Sequence, residues 1–462
     1  MSLHNTSLSI EEIKTIFNRA EKIFFIGIGG VSMSALAEFS ATLGKEIYGY
    51  DRVRNERCAR LEKIAKIKYC STPDNVKGMD LVVFTNAIDE KNYEYRQAKR
   101  KNIPLISRAN FLGFLISLHK RAIGVCGMHG KSTVTAMLGH ILYSANENPT
   151  VFCGAKMQNF NSNFRFGGRT CCVFEACEYQ SSFLSLPTTD AVVLNIDYDH
   201  PDYFRSLEEI KGVFQKYIDK ASRAFINCDD INCRELCHKN IITFGFDKCA
   251  MYRGELCVDT SKCSTAVSEA EKDGLSFNVY KQNTLLCQCH IPYFGKHMVY
   301  NALCAFALAH SSQVPTDTIC KALSSFKGNE QRMEFIKKTD TGADVFVDYA
   351  HHPTEIKATI SALIQKGYKK ILCVFQAHTF SRTHFLYKEF TKAFEHTAEL
   401  IIAPTFSARE ENIFELSEEK FALDCGGEFI GDFEKIAHRV AKTNCDCVVL
   451  MGAGDLSSRL PF

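Results

Sequence analysis

At 462 residues the chain exceeds what one hydrophobic core usually serves, which predicts two to four domains. Hydrophobic residues make up 46% and charged residues 23%, which argues against disorder, and a net charge of +2 gives no reason to expect a nucleic-acid or membrane surface. The 21 cysteines are odd in number, scattered and nowhere spaced as C-x-x-C, so a disulfide framework or zinc ribbon is not expected; buried thiols in a reducing cytosol are.

Taken in chain order, Ile23-Phe-Phe-Ile26 reads as a strand running into Gly27-Ile-Gly-Gly30 and a helix from Met33 to Leu43. Gly27, Gly29 and Gly30 let a backbone approach a diphosphate at a helix N-terminus, and Asp51, after the strand-like Glu46-Ile-Tyr-Gly-Tyr50, sits where a ribose-binding acid would. Ser32 stands at the third glycine of that fingerprint. Read alone, this unit would suggest an NAD(P)-binding oxidoreductase.

A second strand-like run, Ile123-Gly-Val-Cys126, leads into Gly127-Met-His-Gly-Lys-Ser-Thr133 and a helix from Thr133 to Tyr143. The general phosphate loop G-x-x-x-x-G-K-[ST] would want glycine where Val125 stands, yet Gly130, Lys131, Ser132 and Thr133 keep its turn, cation and hydroxyls. Glu175 follows Cys171-Cys-Val-Phe174, and Asp197 follows Ala191-Val-Val-Leu-Asn-Ile196 with Asp199-His200 close behind; acids at such strand ends can reach a metal held by the loop. Lys248 to Ile291 reads as short strands broken by polar turns, an antiparallel edge. Cys287-Gln-Cys-His290 offers metal-binding side chains, but structural zinc needs four well-spaced ligands. After Phe326, the runs Val345–Asp348, Ile371–Phe375, Leu400–Ala403 and Val448–Met451 alternate with helices and predict another mainly parallel sheet. The expected domains are 1–120, 121–325 and 326–462. No segment resembles a signal peptide or spans a bilayer, so the cytoplasm is the expected location, with no membrane or nucleic-acid partner and a monomer or homodimer as the assembly.

With these residues in place, the chain resembles the Mur ligase family over nearly its whole length, and within it the branch that joins L-alanine to UDP-N-acetylmuramate. Gly127-Met-His-Gly-Lys-Ser132 is similar to the family's shortened loop G-T-x-G-K-[ST], which needs no glycine at 125. Glu175-Ala-Cys-Glu-Tyr-Gln-Ser-Ser-Phe183 resembles E-A-D-E-S-x-x-S-F, and Asn195-Ile-Asp-Tyr-Asp-His200 resembles N-I-E-x-D-H. Gly295-Lys-His-Met-Val-Tyr-Asn301, Phe326-Lys-Gly-Asn-Glu-Gln-Arg332, Asp348-Tyr-Ala-His-His-Pro-Thr-Glu355 and Phe375-Gln-Ala-His-Thr-Phe-Ser-Arg-Thr383 follow further family segments in order.

The resemblance implies a three-domain α/β fold: an N-terminal Rossmann-like domain for the UDP substrate, a central P-loop ATPase-type mixed sheet, and a C-terminal Rossmann-like domain that closes over the nucleotide. It implies that ATP phosphorylates the lactyl carboxylate of UDP-N-acetylmuramate and that L-alanine displaces phosphate, with Mg2+ as cofactor. By the same resemblance, residues Gly127 to Thr133 (His129 among them) hold ATP phosphates, with Lys131 neutralising the transferring group. His297 and Asn301 lie near adenine, Arg332 beside the γ-phosphate and Asp348 on the ribose; Ser132, Glu175 and His200 bind the metal. Gly27, Gly29, Gly30 and Asp51 bind the UDP moiety, and His352 and Arg382 position the amino acid. His352 before Pro353 also reads as a helix-start residue.

Departures from the family pattern are Ser32, Met128, Cys177, Tyr179, Met298 and Thr379. Threonine for arginine at 379 removes a charge at the substrate end, so a Mur-type ligase adding a different amino acid or a peptide is the nearest alternative. A silent relative that binds UDP-sugar is another.

Overall fold

The computed structural model describes residues 8–85, 88, 91–201, 203–257, 274–408 and 410–460. Three sheets follow one another along the chain. The first has five parallel strands in the spatial order Ala65–Lys68, Glu46–Tyr50, Lys22–Ile26, Leu81–Phe84, Leu105–Ser107. Ile23 to Ile26 are buried on both faces, as a parallel strand sandwiched between helices requires. Helix Val31–Thr42 starts two residues before the apolar pattern predicts, because Gly30 takes the extended N-cap conformation.

The central sheet has ten strands and is built around Arg121–Cys126, whose parallel neighbours are Cys171–Glu175 and Asp190–Val193. Its far edge is antiparallel as expected: Leu275–Lys281 pairs antiparallel with Tyr252–Leu256 and with the edge strand Thr284–Ile291. Residues 258–273 of that stretch lie outside the described residues. Helix Lys296–Ser311 is apolar nearly all round and buried along most of its length, the pattern of a helix enclosed by its neighbours rather than lying at a surface. It packs beside Lys131–Ser144, the helix that follows the phosphate loop.

The third sheet runs Glu334–Lys338, Asp344–Asp348, Cys447–Met451, Ile371–His378, Glu399–Phe406, Glu428–Phe429; the first pair is antiparallel and the rest parallel.

These units are joined in two different ways. The first and central sheets share one apolar core in which Phe39 packs against Phe152 and Phe164, with ring centroids 5.8 and 5.9 Å apart. The third sheet has separate apolar cores and meets the central one largely through polar contacts, among them Arg382 to Asp199 and Thr354 to Asp197. Burying apolar surface is non-directional and hard to reverse, whereas paired polar groups can exchange protein for water. The first two units are therefore welded and the third is clasped.

Candidate active site

The phosphate loop leaves the buried strand Arg121–Cys126 and enters helix Lys131–Ser144 through Gly130 at φ +85°, a left-handed conformation that favours glycine. Asn195, at the end of the neighbouring strand, pins the loop from both sides. Its Oδ1 accepts the His129 amide at 2.8 Å and its Nδ2 donates to the His129 carbonyl at 3.0 Å. Met128 lies in the apolar core, 6% exposed, so the residue that replaces the family's threonine turns its side chain away from the cradle.

Lys131 Nζ donates to the carbonyls of Gly127 at 2.7 Å and Met128 at 3.1 Å and pairs with Glu178 at 3.0 Å. Burial alone would disfavour both charges, but each outweighs that penalty for the other: the Lys131 ammonium is held above its ordinary range and the Glu178 carboxyl below its own. His200 reaches the same carboxylate, with Nε2 3.4 Å from Glu178, from a strained φ of +56°. Ser132 Oγ donates to Glu175 at 2.8 Å, and Glu175 also accepts the Gly154 amide at 2.7 Å. A Cβ at 154 would meet that carboxylate at 2.5 Å, so glycine there makes room for it.

Two cavities meet at this loop. One, of about 350 Å³, is lined by His129, Gly130 and Thr133 on the loop, by His297 and Asn301 on the following buried helix, and by Arg332 and Asp348 from the third sheet. Burial pushes the His297 imidazole down to about 4, so it is neutral. The second, of about 380 Å³, gathers Arg57 and Arg60 from the first unit, Ser132 and Glu175 from the central one, and Arg332 and Tyr349 from the third. Ser132 and Thr133, adjacent in the chain, thus face different cavities, and Arg332 borders both.

Several of the expected residues are held by neighbouring groups of the chain. His352 is the N-cap of helix Pro353–Gln365: Nδ1 accepts the Thr354 amide at 3.3 Å and Nε2 lies 3.3 Å from the Tyr198 carbonyl. Both ring nitrogens are used here, which fits the helix-start reading. Arg382 turns its fork onto Asp199, with Nε 2.9 Å from Oδ1 and Nη2 3.4 Å from Oδ2. Asp348 lines the cavity of about 350 Å³, and its oxygens accept the Met333 and Ala350 amides at 2.7 and 2.8 Å. Thr379, at φ +69°, caps helix Phe380–Phe385 and contributes no charge.

At the first glycine loop, Gly27 turns the chain at φ +80°, Gly30 caps the helix, and Asp51 Oδ2 accepts the Gly29 amide at 2.8 Å. The cations here are Arg57, whose Nε donates to the Gly29 carbonyl at 2.7 Å, and Arg108, whose Nη1 donates to Ser32 Oγ at 3.3 Å. Sequence reasoning did not single out either arginine, nor Glu178, Glu355 or Asn195 as site residues. Arg108 had a signal: it opens a helix directly after a strand whose C-terminal end lies on this side of the sheet.

His129 links the loop to the third unit. Burial would keep its imidazole neutral, but Glu355 at 3.1 Å and Asp197 at 3.8 Å outweigh it and push the pKa from 6.5 up to about 9. Because the folded value is the higher one, this pairing stabilises fully below the unfolded 6.5 and is lost as pH rises through about 9. The melting temperature, followed by calorimetry, is expected to fall over that interval, and His129→Gln is expected to flatten the fall.

Comparison with known proteins agrees with this arrangement. Residues 22–120 match the Mur ligase family catalytic domain, 125–309 the Mur ligase middle domain and 331–454 the Mur ligase glutamate ligase domain. The UDP-N-acetylmuramate–L-alanine ligase of Clostridium kluyveri is 38% identical over 458 residues, covering 95% of this chain and 97% of the relative. That of Caldicellulosiruptor bescii is 37% identical over 456 residues, with 95% and 97% covered. Among solved structures, the UDP-N-acetylmuramate–alanine ligase of Thermotoga maritima superposes with a TM-score of 0.79 at 26% identity, covering 95% of this chain and 97% of that one. A murein peptide ligase from Psychrobacter arcticus shares the fold, with a TM-score of 0.71 at 22% identity and the same coverage. The chain, matched along nearly all its length, belongs to the Mur ligase family.

Proposed function

We propose that this chain joins L-alanine to the lactyl carboxylate of UDP-N-acetylmuramate at the expense of ATP, a step of peptidoglycan precursor synthesis in the cytoplasm. The observation that carries this reading is the pair of cavities separated by the phosphate loop. A carboxylate is a poor electrophile toward an amine, and a phosphoryl group turns one of its oxygens into a leaving group. Such a reaction needs a nucleotide on one side of the loop and an acceptor on the other, with cations at the crossing point. Arg332, which borders both cavities, is one such cation, and Lys131, on the loop between them, is the other.

We assign the ATP phosphates to Gly127–Thr133, the purine end to His297 and Asn301, and the ribose side to Asp348 and its neighbours. The UDP moiety falls to Gly27, Gly29, Gly30 and Asp51, supplemented by Arg57 and Arg108. This assignment corresponds to units of 1–120, 121–325 and 326–462. The hydroxyl of Ser132 and the carboxylate of Glu175, hydrogen-bonded at the lip of the loop, form a hard-oxygen pair that fits Mg2+, and His200 lies beside the Lys131–Glu178 pair. Bound there, the ion would offset phosphate and carboxylate charge.

The test is phosphate release from ATP by the full chain. Release is expected only when UDP-N-acetylmuramate and L-alanine are both present. Release with another amino acid or a peptide, and not with L-alanine, would replace the substrate assignment; nicotinamide-cofactor binding in a fluorescence titration, without phosphate release, would replace the reaction.

A further inference from the structure

A site unrelated to the ligase chemistry lies at the antiparallel edge of the central sheet. On the edge strand Thr284–Ile291, Cys287 and Cys289 point to the same face, and helix Thr316–Ser324 packs over that face and presents Cys320. The Sγ atoms of Cys289 and Cys320 are 3.2 Å apart, those of Cys287 and Cys320 3.5 Å, and those of Cys287 and Cys289 3.9 Å. Zinc–sulfur bonds of about 2.3 Å at tetrahedral angles set neighbouring sulfurs roughly 3.8 Å apart, so the triangle needs only small adjustments to enclose an ion. A disulfide would use two of these thiols and leave the third, with no account of why all three converge.

We propose that Cys287, Cys289 and Cys320 form a three-thiolate site for a borderline divalent cation, Zn2+, that ties the edge hairpin to helix Thr316–Ser324. The depth of the three thiols suits this. Cys289 is buried at the base while Cys287 and Cys320 are partly exposed, which leaves an entry path. With three thiolates in place, a water entering from the exposed side can complete four-coordination. His290 takes no part: it faces the other side of the strand, where Nδ1 lies 3.1 Å from Ser276 Oγ. As each sulfur–metal bond forms, the thiol proton passes to solvent.

The site is remote from catalysis. Six strand spacings separate Thr284–Ile291 from Arg121–Cys126, roughly 29 Å at about 4.8 Å each. Its effect is local. The helix it clamps ends at Ser324, just before the chain crosses to the third unit, so the ion fixes one anchor of that crossing.

The experiment uses the full chain, reduced and stripped of metal, titrated with Co2+. A sulfur-to-cobalt charge-transfer band is expected to grow to saturation at one equivalent and to be bleached by Zn2+. Among the described residues, the other convergent ligand set, His129, Asp197 and His352, has no sulfur and cannot produce that band. Cys287→Ser and Cys320→Ser are each expected to lose the band while keeping ligase turnover, which shows that the variants fold. Absence of the band in the parent chain, or a band undiminished in Cys320→Ser, overturns the proposal. So does air oxidation that removes two free thiols from the parent and none from Cys320→Ser with no cobalt band in either.

Discussion

Lys131→Ala is expected to lower ligase turnover by about 10³-fold, equivalent to about 4 kcal/mol of transition-state stabilisation. In phosphoryl transfer the protein positions groups and balances charge, and Lys131 is fixed at the loop by two carbonyls that limit where its ammonium can go. Those same contacts separate two effects of the substitution. Removing the ammonium leaves the Glu178 carboxylate buried, 2% exposed, with His200 still beside it, and an uncompensated buried charge costs about 3–5 kcal/mol until it takes a proton. Some loss of thermal stability is therefore expected in Lys131→Ala and should be relieved in Lys131→Ala with Glu178→Gln, where no acid is stranded. Turnover should not recover in the double variant, because the charge beside the phosphates is still missing. Steady-state phosphate release and melting curves on both variants check this, and a double variant restored to near-parental turnover would show that Lys131 matters only as the partner of Glu178.

What the sequence revealed about this site follows the reach of each signal. The loop Gly127–Thr133 was legible because its chemistry is local: a buried strand, a glycine in left-handed conformation and a helix N-terminus are contiguous in the chain. The antiparallel edge was legible because polar turns interrupt short apolar runs there. Met128 stands out in the sequence as a departure from the family pattern, but side-chain direction in a loop has no periodicity to read, and only the structure shows that side chain in the core. His352 before Pro353 carried a correct local signal for a helix start. The pairing of Asp199 with Arg382 spans 183 residues and that of Cys289 with Cys320 spans 31, and neither partner's sequence surroundings mark the other. The contacts that escaped the sequence are those between side chains far apart in the chain, whether within one unit or between two.

That long-range pair sets the second large expectation. Asp199 follows a central-sheet strand, Arg382 lies on a helix of the third unit, and their side chains are 5% and 6% exposed. The Arg382 guanidinium and the Asp199 carboxylate face each other with little water between them, so Asp199 is ionised well below the usual carboxylate range despite its burial. Breaking a buried pair by removing one partner costs about 3–5 kcal/mol, and here the loss falls on the clasp between units that have their own cores. Arg382→Met and Asp199→Asn are each expected to lower kcat/KM for L-alanine by about 10²-fold or more, because the open form then competes with the closed one. The double variant should lose no more than the worse single variant, since the second change strands nothing further. If Arg382 instead bound the amino acid's carboxylate directly, only Arg382→Met would raise the KM for L-alanine, and Asp199→Asn, by freeing the fork, would leave it unchanged or lower it. Parallel losses in the two single variants, accompanied by an increased radius of gyration in solution scattering with nucleotide present, fit the clasp. A KM effect confined to Arg382→Met would return Arg382 to the substrate.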